Sequence, residues 1–140
     1  MNARFFLDTN IFAYAFDPAA PSKAQLSNRL TRRAIATGKG IISYQVVQEF
    51  FNVAFRKFPA PKFAEQAQAY FTSVLRPLLG VNFSPALLLR AMGIREKHSI
   101  SWYDALIVAA AIEGECSVLY TEDFQHGREI EGVKILNPFL

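Results

Sequence analysis

Four acidic residues stand where a carboxylate can do chemistry. Asp8 follows the short apolar run Arg4 to Leu7 and opens Asp8-Thr9-Asn10, residue types that favour turns and helix starts. Asp123 follows a second such run, Ser117 to Thr121, and Asp104 lies at the start of a stretch, Tyr103 to Ile112, that is apolar almost all round. A helix of that kind is expected to be buried. In open parallel α/β sheets ligands gather outside the carboxyl ends of the strands, which brings Asp8 and Asp123 to one edge. Asp104 has a second reading, as a cap that accepts backbone N–H groups at the positive end of its own helix. Three carboxylates brought together without basic neighbours repel and are costly to desolvate, unless a hard cation such as Mg²⁺ or Mn²⁺ shares their oxygens. Glu49 is the fourth. From Tyr44 to Arg56 the apolar residues Val46, Val47, Phe50, Phe51, Ala54 and Phe55 recur at helical spacing. At about 100° per residue Glu49 points the other way, beside Gln45, Gln48 and Asn52, so periodicity alone reads it as a solvated surface side chain.

The elements that must position these residues follow from short apolar runs alternating with longer helical stretches. Strands are expected at Arg4 to Leu7, at Ile41-Ile42 closed by Ser43, at Leu78 to Phe83, at Ser117 to Thr121 and at Val133 to Leu136. Helices are expected from Ile11; from a capping pattern Ser22/Gln25 to Thr37, ended by Gly38 and Gly40; over Tyr44 to Arg56, ended by Pro59 and Pro61; over Lys62 to Leu75; over Ala86 to Lys97 behind Ser84-Pro85; and behind a second capping pattern, Ser101/Asp104. Strands alternating with helices predict a three-layer α/β/α domain around a central, mainly parallel, Rossmann-like sheet. At 140 residues the chain is expected to be one domain, 1–140, with a sizeable core.

Charge is unevenly placed. Residues 1–100 hold 13 basic and 5 acidic side chains, net +8, whereas residues 101–140 hold 2 and 7, net −5. A basic body with a concentrated acidic end suits a polyanion partner, cations gathered by the acids, or both. Lys23, Arg29, Arg32, Arg33 and Lys39 around the second helix are suited to tracking phosphates, and equally to an ordinary solvated face. One Cys, Cys116, excludes an intrachain disulfide and a Cys-rich zinc site and suits a reducing compartment. The chain has no run of 18 apolar residues and enters Phe5-Phe6-Leu7-Asp8 without a signal-peptide pattern, so the expectation is a soluble, cytoplasmic protein with no membrane partner. His98 and His126 have no second His or Cys at ligand spacing and are read as bystanders, and Trp102 as core packing before a buried helix.

Taken together, Leu7-Asp8-Thr9-Asn10-Ile11, Ser43 with Gln48-Glu49-Phe50, Ser101-Trp102-Tyr103-Asp104-Ala105, Tyr120-Thr121-Glu122-Asp123-Phe124 and Asn137-Pro138-Phe139 resemble a PIN-domain nuclease, in order and over essentially the whole chain. More narrowly, they resemble the VapC toxins of type II toxin–antitoxin pairs. The resemblance implies that Asp8, Glu49, Asp104 and Asp123 gather at the carboxyl edge of a parallel sheet and hold Mg²⁺ or Mn²⁺. Asp8 and Asp104 would be direct ligands, and Glu49 and Asp123 direct or water-mediated ones. Thr9 or Asn10, Ser43 and Thr121 would orient carboxylates or water, although Asn10 and Ser43 also suit helix caps; Glu122 would support the acids or face solvent.

The activity implied is a metal-dependent endoribonuclease, in which an activated water attacks phosphorus in line and leaves a 5′-phosphate and a 3′-hydroxyl, with Asp123 a candidate proton acceptor. The partners implied are an RNA substrate, a cognate antitoxin and a second copy of the chain, the last suggested also by the Phe-rich stretch Phe50 to Phe63 with Phe71 nearby. An Asp-nucleophile phosphatase is disfavoured because Asn10 stands where a second Asp would be needed. A receiver-like signalling domain lacks its late Lys. A non-catalytic or housekeeping PIN domain would be favoured by loss of an acid, and all four are present.

Overall fold

The computed structural model describes residues 3–58 and 62–140. Six strands form one sheet: β1 (Arg4–Leu7), β2 (Gly40–Ser43), β3 (Leu79–Val81), β4 (Cys116–Tyr120), β5 (Glu129–Ile130) and β6 (Val133–Leu136), in the order β3-β2-β1-β4-β6-β5. All neighbours are parallel except β5 and β6. β1 is central and enclosed, with Phe6 and Leu7 wholly buried. The helices are α1 (Thr9–Tyr14), α2 (Pro21–Thr37), α3 (Tyr44–Lys57), α4 (Lys62–Tyr70), α5 (Arg76–Leu78), α6 (Pro85–His98) and α7 (Trp102–Glu113). α4 runs through a π-helical turn, Phe71–Leu75, into α5.

Helices cover both faces, as a mainly parallel sheet requires. A Cβ on Gly40 would stand 2.1 Å from that of Ala34, so α2 lies directly on β2 and only glycine permits the approach. Ile41, the next residue and therefore on the other face, packs against Gly114 at the end of α7. This is the expected three-layer α/β/α arrangement, and it explains why α7 is apolar all round: it is sandwiched between the sheet and α6. The aromatic stretch after Val47 is mostly core. Phe50 and Phe63 are buried, Phe16, Phe51 and Phe58 pack around them, and Phe55 alone of this group is largely exposed.

Several local expectations are corrected. Ser22 does not cap α2: Pro21 already occupies its first turn, Ala20 is the N-cap, and no side chain accepts a bond there. Helix α1 begins at Thr9 rather than Ile11 because Asp8 caps it, its Oδ1 accepting from Thr9 N at 2.7 Å. Asn10 therefore lies inside α1 and is no cap. The two-residue strand β5 was not expected; it is too short to carry an alternating pattern. Gly38 takes the left-handed conformation, φ +68°, and ends α2 as anticipated. Pro59 and Pro61 lie outside the described residues. Cys116 is a buried free thiol whose pKa burial pushes up to about 12.

Candidate active site

The carboxyl ends of β1, β2 and β4 open onto one edge of the sheet, and each of the four acids reaches that edge by a different route. Asp8 is the residue after β1 and Asp123 lies three residues past β4. Asp104 is in the first turn of α7, whose following strand β4 runs back across the sheet, so the helix starts at the strands' carboxyl edge. Glu49 lies in the second turn of α3, behind the β2 terminus at Ser43, whose hydroxyl caps the helix by accepting from Val46 N.

Asp8 is the most enclosed of the four, at 4% exposure. Burial raises its pKa to about 7; hydrogen bonds from the Thr121 hydroxyl (2.8 Å to Oδ2) and the Thr9 backbone oppose the rise, while the charges of Asp123 and Glu49 add to it. Thr121 is wholly buried and works twice, since its Oγ1 also accepts from Asp123 N at 3.1 Å. Asp123 is exposed, yet its pKa is raised as well, by partial desolvation and by the charges of Asp104, Glu122 and Glu49. The Asn10 amide favours the ionised form of Asp123, although both of its polar atoms are buried without a hydrogen bond of standard geometry.

Glu49 does not point into open solvent. It is half-buried against α1, accepting from Thr9 Oγ1 at 2.8 Å and from Gln45 Nε2 at 3.2 Å. The stripe that faces the core and the edge that meets α1 are different sides of α3, and a helical period reports only the first. Asp104 spends its own backbone N–H on Ser101 Oγ (3.2 Å), while its carboxylate makes no capping bond, so the cap is Ser101 and the acid is left for the edge.

Among the described residues none of the four acids forms an ion pair with Lys, Arg or His. Glu122 differs: Tyr14 Oη and Lys23 Nζ both donate to it. Sequence reasoning missed Tyr14 and Gln45, and only the i, i+4 spacing of Gln45 and Glu49 on one helix could have signalled either. His98 bonds Glu131 at 2.8 Å and His126 Nδ1 accepts from Asn137 N, and neither bonds any of the four acids. Beside Asp123 a groove of about 860 Å³ opens along α1, lined by Asn10, Ala13, Phe16, Lys57, Phe58 and Phe63 among others.

The PIN-domain sequence profile matches residues 5–128. The chain belongs to the PIN-domain family. No curated protein matches its sequence. Solved structures share the PIN fold at low identity. A toxin–antitoxin complex from Klebsiella pneumoniae superposes with a TM-score of 0.66 at 19% identity, covering 95% of this chain and 96% of that one. FitAcB from Neisseria gonorrhoeae gives 0.66 at 17%, over 96% and 98%. VapBC2 from Rickettsia felis, bound to a DNA fragment from their promoter, gives 0.65 at 19%, over 94% and 96%.

A hard divalent cation suits the donors of this PIN domain, which are carboxylate oxygens that no basic side chain among the described residues pairs with. As placed, among the described residues no three His, Cys, Asp or Glu side chains are close enough to hold an ion. Hydroxyls hold two of them instead, Thr121 on Asp8 and Thr9 on Glu49. No helix among the described residues is long and apolar enough to cross a membrane.

Proposed function

We propose that this chain, read as a single PIN domain, is a Mg²⁺- or Mn²⁺-dependent endoribonuclease and the toxin of a VapBC-type pair. The observation that carries the reading is the set of four acids, Asp8, Glu49, Asp104 and Asp123, at one sheet edge with no basic partner among the described residues. A divalent cation held there would supply neutralisation of charge at the scissile phosphate and a lowered pKa for the attacking water. Asp8 and Asp104 would hold the cation directly, and Glu49 and Asp123 directly or through water. Asp123, exposed and with a raised affinity for protons, accepts the proton of the water. Thr121 fixes Asp8 and the Asp123 backbone in one geometry. Asn10, Ser43 and Glu122 support the acids from behind.

Likeness to toxin–antitoxin complexes from Klebsiella pneumoniae and Rickettsia felis supports a cognate antitoxin as partner, with the groove beside Asp123 as its seat. A homodimer uses three of the apolar side chains left exposed, Tyr44, Phe83 and Tyr103, which line a second hollow beside Gln45. The working compartment is the cytoplasm. Incubation of total RNA with wild-type protein, Asp8→Asn and Asp104→Asn, in Mg²⁺, Mn²⁺ and chelator, tests the mechanism. Discrete products are expected only from wild type with metal; products that persist in chelator, or in both variants, refute it.

A further inference from the structure

Of Asp8, Glu49, Asp104, Glu122 and Asp123, Glu122 alone forms an ion pair among the described residues. Lys23 Nζ donates to Glu122 Oε2 and to Tyr14 Oη, each at 3.2 Å, and Tyr14 Oη donates to Glu122 Oε1. The ammonium also lies 4.5 Å from the centre of the Tyr14 ring and 5.4 Å from that of Phe139, and the two rings meet edge-on at 5.0 Å. Three separate elements converge here: α1 through Tyr14, α2 through Lys23, and the segment after β4 through Glu122.

That segment also carries Asp123, whose carboxylate is exposed. Its place therefore depends on how its backbone is held. On one side Thr121 ties the segment to Asp8. On the other, Glu122 is the side-chain anchor next to Asp123, with His126 Nδ1 accepting from Asn137 N three residues further on. Asp8 and Glu49 accept from neutral donors, whereas the charge of Glu122 is already paired with an ammonium, which a cation would have to displace. We propose that Tyr14, Lys23 and Glu122 form a clamp that positions Asp123 opposite Asp8 and keeps Glu122 out of the cation's ligand set. Tyr14 and Lys23 are thus positioning residues. The inference rests on the cation-binding reading of the four acids for its functional half, but not for its structural half.

The two halves are tested by two measurements on the full chain: amide hydrogen exchange of the 121–126 segment without metal, and Mn²⁺ affinity by calorimetry. Tyr14→Phe changes no charge. It is expected to speed exchange in that segment about fivefold or more, with α7 unchanged, and to weaken Mn²⁺ binding about tenfold, as loss of a ligand's supporting bond does. Lys23→Met should resemble it in exchange, and Lys23→Arg should keep wild-type values in both. Wild-type exchange in Tyr14→Phe overturns the clamp. Faster exchange with Mn²⁺ affinity retained overturns its positioning role, as does a gain of affinity in Lys23→Met with Tyr14→Phe silent, which marks an electrostatic effect alone. If Asp8→Asn leaves Mn²⁺ binding unchanged, the cation reading fails, and the exchange result still decides the clamp.

Discussion

Asp8 carries two burdens, because it is buried at the centre of the sheet edge and also caps α1. Its pKa in the folded chain, about 7, lies above its ordinary 3.8, so the folded state holds the proton more tightly than the unfolded one. Stability from this group is then fully present below about pH 4 and is lost as pH rises through about 7, at a cost on the order of 4 kcal/mol if no cation is bound. Asp8→Asn, which cannot ionise, should be more stable than wild type in chelator. The difference in urea midpoint should be small at pH 4.5, grow through pH 6 and level off above pH 7.5. A constant difference across that range would show that Asp8 does not titrate this way. Asp104 offers the opposite separation of roles. Its carboxylate makes no capping bond and faces the charge of Asp123, so Asp104→Asn should change stability by no more than about 0.5 kcal/mol while abolishing cleavage. Ser101→Ala, by contrast, removes the true cap and should cost about 1 kcal/mol in thermal or urea unfolding.

Elements were legible in the sequence wherever one local rule decided them. Ser84-Pro85 starts α6, Gly38 ends α2 and Ser43 turns β2 into α3, because caps and φ preferences act within a few residues. The same kind of rule misplaced the start of α2, where the Ser22/Gln25 pattern competes with a proline one residue earlier. Glu49 shows a different limit. Its side of α3 meets α1, and a contact between elements 40 residues apart leaves no trace in either one's periodicity. Strand order is of that kind too, and so is the Tyr14–Glu122 bond, which spans 108 positions. Gly40 tests the packing that orders the layers. With Ala34 Cβ only 2.1 Å from where a new Cβ would stand, and Ala34 Cα at 2.8 Å, α2 must lift from β2 to admit it. Gly40→Ala should therefore lose about 2–3 kcal/mol, read as a lower urea midpoint, although alanine suits a strand at least as well as glycine does. A silent Gly40→Ala would mean that α2 and β2 are not in contact as described.

At the scale of the whole molecule, the formal +3 conceals how the charges are sorted. If a cation screens Asp8, Glu49, Asp104 and Asp123, 15 basic side chains face 12 − 4 = 8 acids, an excess of +7 around a small acidic opening. Not all of that excess is free to meet a polyanion. Lys23 is committed to Glu122, and Arg33 reaches Tyr120 Oη at 3.3 Å and lies over the Phe5 ring. Arg29 and Arg32 are exposed on α2, Lys39 is half-buried just beyond it, and none of the three forms an ion pair among the described residues. α2 precedes β2 and runs against it, so its N-terminal end lies at the edge that holds the acids, where Lys23 meets Glu122. Single-stranded RNA bound along it should release counterions, and the slope of log K against log salt reports how many phosphates are neutralised. Arg29→Gln and Arg32→Gln should each reduce that slope by about 0.7, with RNA affinity falling similarly for unrelated sequences, since phosphate contacts carry no base readout. Arg95→Gln is the control: it lies on α6, on the other face of the sheet, beside Glu96. Equal slopes for all three variants and wild type would place the RNA path elsewhere, whereas a loss confined to the two α2 variants ties the basic face to the acids it borders.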